Sequence, residues 1–99
     1  MTVEKKMDGD TLTLSLSGRL DTTTAPDLEK VIVGELPDIQ KLVLDLADLE
    51  YISSAGLRVL LMAQKSMSRK GGMDVLHPNE LIMEVFDVTG FTDILNICE

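Results

Sequence analysis

The first part of the chain alternates between apolar and polar residues. Residues 11–17 carry a leucine at every second position, which predicts a strand with one buried face. Asp8-Gly9 lies just before this strand, and its glycine can supply the positive φ of a tight hairpin turn. Residues 3–7 are therefore expected to form an antiparallel edge strand, which Lys5 and Lys6 protect from pairing with other chains.

Three helices are predicted from apolar stripes with a period near four and from residues that start or stop helices. Thr24 is expected to cap the first helix, which ends at Pro37. The second helix ends at Gly71-Gly72. Asn79 is expected to cap the third helix, which ends at Gly90. The stripes, in chain order, are Leu28, Val31, Ile32 and Leu36; Leu57, Leu60, Leu61 and Gln64; and Leu81, Ile82, Val85 and Phe86.

Further strands separate the predicted helices. Residues 42–46 are almost continuously apolar, which is typical of a central parallel strand covered on both faces. Residues 73–76 form a short strand, and residues 94–97 are a candidate for a last one. The order ββαβαβα(β) predicts an α/β fold with a mixed, mostly parallel sheet of four to five strands and helices. Because the 99 residues contain no linker or repeat, we expect one domain over residues 1–99.

Charge and composition restrict the partners and the location. The formal net charge of -8 disfavours nucleic acid and anionic membrane surfaces and favours a basic protein face. The sequence has no apolar run long enough to span a bilayer, and its first residues do not resemble a signal peptide. The single cysteine, Cys98, excludes an internal disulfide framework and a cysteine-based zinc site. We therefore expect a cytoplasmic protein without direct membrane insertion, metal or cofactor.

The segment between the central strand and the second helix carries the candidate chemistry. Ser53 and Ser54 stand where a predicted buried strand ends and a helix begins, the edge at which α/β proteins gather functional groups. Either hydroxyl can serve as an ordinary N-cap worth about 1 kcal/mol. Gly56 can allow the backbone to approach the sheet closely. The pattern alone leaves a structural cap and a functional serine both open.

Three ordered segments resemble the STAS domain (sulphate transporter and anti-sigma factor antagonist). They are residues 16–22, residues 42–49 and residues 52–57, and residues 88–91 also match the family's late helix-to-glycine turn. The similarity spans nearly the whole chain. It implies an anti-sigma factor antagonist, in which a serine ahead of the second helix is phosphorylated by a partner that is both anti-sigma factor and serine kinase. A serine phosphatase would reverse the modification.

The resemblance assigns roles to individual residues. Ser54, two residues before Gly56, matches the phosphorylated serine. Many members have aspartate where this chain has Ser53, so Ser53 is an alternative phosphoacceptor, whereas Ala55 removes a competing hydroxyl. Asp21 matches an aspartate that borders the same surface. The expected partner-binding residues are Asp21, Thr22, Ser53, Ser54, Ala55, Gly56, Leu57 and Arg58.

Three other classes of function are alternatives, one of which is a small-ligand binder with the same fold. A STAS subunit of a membrane lipid transporter, or of another non-sigma regulatory complex, would share the fold and keep the serine as a mere cap. An enzyme is not expected, because His77 and Cys98 are the only residues of their types and no Gly-x-Ser-x-Gly motif or metal-ligand spacing occurs. The family's usual C-terminal helix is short or missing, which predicts an apolar patch at Leu95 and Ile97.

Overall fold

In a computed structural model that describes residues 1–98, the chain forms one sheet of five strands with three α-helices. The predicted order, including the final strand, is confirmed. Short 3-10 turns follow the first and third helices. The elements are β1 (Thr2–Asp8), β2 (Thr11–Leu20), α1 (Ala25–Glu35), β3 (Lys41–Ile52), α2 (Ser54–Met67), β4 (Met73–Leu76), α3 (Glu80–Thr89) and β5 (Asn96–Cys98).

The strands lie in the order β1-β2-β3-β4-β5. β1 pairs antiparallel with β2 through the predicted hairpin, in which Gly9 has a φ of 64°. The remaining neighbours are parallel, as right-handed crossovers through helices require. The carboxyl ends of β2 and β3 therefore meet at one edge of the sheet, and α2 begins there.

Burial along β3 differs from the prediction of a strand covered on both faces. Leu42, Leu44 and Leu46 are fully buried beneath the helices, whereas Val43 and Asp45 are only half-buried. That prediction is wrong because Val43 lies on the outer face of the sheet. There, the Asp45 carboxylate accepts a hydrogen bond from the backbone N–H of Ala47 at 3.0 Å.

Two bulges lengthen β3 beyond the predicted strand. The pairing with β2 shifts by one residue between Ser15 and Ser17 and again after Gly18. At each shift β3 contains one extra residue, so consecutive inward-facing residues are three positions apart instead of two. Leu49 and Ile52 therefore join the core after Leu46. The bulges thus carry the strand to the start of α2 with its apolar side still facing inward.

The predicted start and stop of α3 are confirmed. The Asn79 side chain accepts a hydrogen bond from the backbone N–H of Ile82 at 2.8 Å, and Gly90 ends the helix with a φ of 80°. Phe91 packs back on the last turn, with its ring centroid 6.4 Å from that of Phe86.

Two expectations for the chain beyond α3 need correction. Leu95 is only 6% exposed and belongs to the core, so the predicted patch at Leu95 and Ile97 is wrong at Leu95. Ile97 is half-buried within β5, which begins two residues later than predicted and ends one residue later. None of the helices formed by residues 1–98 is long and apolar enough to cross a membrane.

Candidate functional site

Ser53 is the N-cap of α2, and its hydrogen-bonding groups are occupied. Its hydroxyl accepts a hydrogen bond from the Gly56 N–H at 3.4 Å, and its carbonyl accepts one from the Leu57 N–H at 2.9 Å. Its own N–H donates to the Leu20 carbonyl at 2.9 Å, which ties the helix start to the end of β2. The sequence pattern did not decide which of the two serines caps α2. In the structure the half-buried Ser53 is the cap.

Ser54 is the first residue of α2 and is exposed. Within the described part of the chain its hydroxyl makes no hydrogen bond, unlike that of Ser53. It stands at the positive end of the helix dipole, beside backbone N–H groups that favour negative charge. A phosphate on this oxygen would extend into solvent without displacing a capping interaction.

Gly56 brings the start of α2 directly onto the sheet. A Cβ at this position would lie 2.7 Å from Cγ of Leu20 and 2.9 Å from Cγ1 of Ile52, both fully packed core side chains. Leu57 is only 7% exposed. Gly56 and Leu57 were predicted to bind a partner. Both lie beneath the surface, where they support the exposed residues around them.

Asp21 organises the loop between β2 and α1. Its carboxylate accepts hydrogen bonds from the Thr23 hydroxyl at 2.7 Å, the Thr23 N–H at 3.0 Å and the Thr24 N–H at 3.2 Å. The bonds from Thr23 are the main reason why the pKa of Asp21 is lowered. Thr24 occupies the N-cap position of α1, as predicted, but its side chain makes no capping hydrogen bond. Its hydroxyl donates to the Arg19 carbonyl at 2.9 Å instead.

Arg19 is a residue of this edge that sequence reasoning missed. Its guanidinium carbon lies 4.3 Å from the centroid of the Tyr51 ring, a cation–π distance. Its Nε atom is 3.9 Å from the Asp21 carboxylate. Arg19 and Tyr51 are paired only because of the second bulge in β3, so an alternating pattern could not have placed them together.

A groove of about 310 Å³ lies between the N-terminal halves of α1 and α2, and Ala55, which follows Ser54 in the chain, is one of the residues that line it. It brings together Thr22, Ala55 and Arg58, which were predicted to face a partner, with residues of α1 that were not predicted. A second depression of about 360 Å³ continues along α2 and shares Arg58. The groove is lined by Thr22, Ala25, Pro26, Glu29, Ala55, Arg58 and Val59.

The arrangement places the exposed Ser54 hydroxyl next in the chain to Ala55, which lines the groove. Within residues 1–98 no group of three or more His, Cys, Asp or Glu side chains is placed to hold a metal ion. His77 lies at the end of β4, where its N–H donates to the Cys98 carbonyl at 3.3 Å, and neither residue lines the groove. The site can accept a modifying group and contact a protein surface.

The sequence matches a known family model and several named proteins. The family model described as Mlab, STAS domain matches residues 3–96. The putative anti-sigma factor antagonist BtrV of Bordetella bronchiseptica is 36% identical over 94 residues, which cover 93% of this chain and 80% of that protein. The anti-sigma-B factor antagonist of Bacillus subtilis is 28% identical, covering 96% of this chain and 88% of that protein.

A solved structure agrees with the fold. The crystal structure of a putative anti-sigma factor antagonist from Thermotoga maritima has a TM-score of 0.91 and 29% sequence identity. The match covers 98% of this chain and 86% of the other. The five-stranded sheet and the three helices are therefore shared with proteins of that name.

Proposed function

The chain belongs to the STAS domain family of the anti-sigma factor antagonists, and from this we propose that it is a partner switch controlled by phosphorylation of Ser54. The unmodified protein binds an anti-sigma factor that is also a serine kinase, and thereby frees the sigma factor. Phosphorylation releases the protein from this partner, and a serine phosphatase resets it. The cycle takes place in the cytoplasm.

The observation that carries this proposal is the difference between two adjacent serines. Ser54 is exposed at the first position of α2, whereas the Ser53 hydroxyl is half-buried and accepts the Gly56 N–H. Modification of Ser53 would sacrifice a cap worth about 1 kcal/mol. Modification of Ser54 would add a charge at the end of the helix that stabilises anions. These differences favour Ser54 as the phosphoacceptor.

The charge acts on the interface and leaves the fold intact. A phosphoserine carries about -1.5 to -2 charges at neutral pH, which the start of α2 tolerates in solvent. A partner that covers Ser54 and the adjacent groove must remove water from that charge, which costs several kcal/mol if it stays unpaired. Each loss of about 1.4 kcal/mol weakens binding tenfold, so two such steps are enough for a switch.

Arg58 is positioned to take part in the switch. It lies one helical turn after Ser54, the spacing at which side chains on a helix meet. Its exposed side chain lines both depressions along α2. A phosphate on Ser54 would attract the guanidinium and thereby withdraw it from the surface offered to the partner.

Phosphopeptide mapping tests the assignment. The purified protein is incubated with its cognate serine kinase and ATP, alongside the variants Ser53→Ala and Ser54→Ala. We expect phosphate on Ser54 in the wild type and in Ser53→Ala, and none in Ser54→Ala. Phosphate on Ser53 alone, or on neither serine, would refute the assignment.

The second candidate is a subunit of a membrane lipid transporter or of another non-sigma regulatory complex. In that role the same surface would hold a permanent partner, and Ser54 would only begin the helix. The start of α2 is well formed without any modification of Ser54, which is also compatible with a permanent complex. Incubation with the cognate serine kinase and ATP separates the two functions, because a partner switch should take up phosphate at Ser54, whereas a permanent subunit should remain unmodified and bound to its partner.

A further inference from the structure

Helix α3 exposes large apolar side chains that the partner switch does not use. Leu81 is 50% exposed, Val88 is 81% exposed, and Ile94, which follows the helix, is 42% exposed. They are three of the five large hydrophobic residues that are exposed in residues 1–98. None of the residues that line the groove beside Ser54 comes from α3. This surface therefore needs a separate explanation.

Three apolar residues of α3, two of them exposed and one half-buried, form a stripe. Leu81, Val85 and Val88 follow the spacing i, i+4 and i+7, which places them on one side of a helix with about 100° per residue. The core side of the helix, turned about a quarter of a circle away, carries the fully buried Ile82 and Phe86. The half-buried Val85 joins the two sides. The helix thus has an apolar surface wider than the sheet can cover.

The surroundings of the stripe are acidic. All nine lysines and arginines of the chain precede residue 71, whereas α3 itself carries Glu80, Glu84 and Asp87. Glu84 lies one turn from both Leu81 and Val88, so its carboxylate borders the stripe. These three carboxylates are exposed on the side of the stripe that faces away from the core.

We propose that this α3 face, formed by Leu81, Val85 and Val88 with the three carboxylates, docks an amphipathic helix of a partner protein whose aliphatic stripe is flanked by Lys or Arg. Such helices lay their apolar side chains against an exposed apolar surface at the same i, i+4, i+7 spacing. Their basic residues would meet the carboxylates that border the stripe, and complementary charge sets both orientation and association rate.

Other occupants fit the charges less well. A second copy of the chain, paired through the same helix, would bring carboxylates against carboxylates, and like charges across an interface are unfavourable. An anionic membrane would repel the same three groups. The proposed partner is therefore distinct in chemistry from both.

The test uses a synthetic 18-residue helical peptide with leucines at i, i+4 and i+7 and lysines on both sides of them. It is titrated into the isotopically labelled full chain, and backbone amide shifts are recorded by NMR. We expect the shifts to concentrate in α3. We also expect the double variant Leu81→Ser/Val88→Ser to weaken binding at least about tenfold, equivalent to about 1.4 kcal/mol. Glu84→Gln should weaken binding and reduce its salt dependence.

Matched controls keep the outcome decisive. Val33 is 52% exposed on α1, so Val33→Ser removes exposed apolar surface away from α3 and should leave the affinity unchanged. A peptide with glutamates in place of its lysines should not bind. Three results would overturn the proposal: amide shifts centred outside α3, equal affinity of the double variant and the wild type, or sedimentation that shows a dimer which the double variant dissociates.

Discussion

The substitution Gly56→Ala tests how closely α2 approaches the sheet. The added methyl would lie 2.7 Å from Cγ of Leu20 and 2.9 Å from Cγ1 of Ile52. Both neighbours are at most 2% exposed, and close packing of the core resists their displacement. Overpacking of this kind costs about 1–3 kcal/mol. Replacing glycine by alanine inside a helix contributes about 1 kcal/mol in the opposite direction. The net expectation is a loss of up to about 2 kcal/mol in the free energy of unfolding.

Gly34 in α1 provides the matched control. It also lies within a helix, but it is exposed, and a Cβ there would meet nothing within 4 Å. Gly34→Ala should therefore stabilise the protein by up to about 1 kcal/mol, because only the helix preference changes.

Urea titration followed by circular dichroism measures both variants, and thermal unfolding provides a second reading. In a domain of this size, 1 kcal/mol shifts Tm by about 4–8 °C. We expect Gly56→Ala to unfold at a lower urea concentration than the wild type, and Gly34→Ala at a higher one. If Gly56→Ala were as stable as Gly34→Ala, the close contact between α2 and the ends of β2 and β3 would be refuted.

Three further predictions concern the site. Ser53→Ala should lower the free energy of unfolding by about 1 kcal/mol through loss of the cap, whereas Ser54→Ala should leave it unchanged in the same urea titration; equal effects would contradict the roles assigned to the two serines. The pKa of Asp21 in the folded protein is lower than its ordinary value of 3.8. The contribution of the charged carboxylate to stability is therefore present above pH 3.8 and is lost as the pH falls through the lowered pKa. Asp21→Asn should therefore make Tm depend less on pH below about pH 4. The same dependence of Tm on pH in the variant and the wild type would contradict this prediction. Arg58→Ala should raise the second pKa of a phosphate on Ser54, measured by phosphorus NMR, because a nearby cation favours the dianion; the same pKa in both proteins would show that Arg58 does not reach the phosphate.

Much of the architecture was predictable because local patterns and burial agree. The alternating leucines of β2 are all buried, and Asn79 and Gly90 bound α3 as their chemistry suggests. The continuous apolar run in β3 misled because Val43 is apolar although it lies on the outer face of the sheet. Apolar character alone does not distinguish a residue that contacts the core from one that fills a half-covered surface.

The bulges in β3 set the limit of sequence reasoning at the site. An inserted residue in a strand leaves no signature in the hydrophobic pattern that identifies its position. It nevertheless decides that Arg19 pairs with Tyr51. The groove likewise depends on how α1 and α2 lie together, so Pro26 and Glu29 could not be assigned to it from spacing. Whether Ser53 or Ser54 caps α2 depends on the exact residue at which the helix begins, and the sequence pattern does not fix that residue.

The most direct test of the switch is the affinity of the cognate anti-sigma factor for two forms of the same protein. Stoichiometrically phosphorylated and unmodified samples are compared by isothermal titration calorimetry, with thermal unfolding of each to confirm that both are folded. We predict that phosphate on Ser54 weakens binding at least about a hundredfold, equivalent to about 2.8 kcal/mol, while the domain stays folded. Equal affinity of the two folded forms would contradict the account.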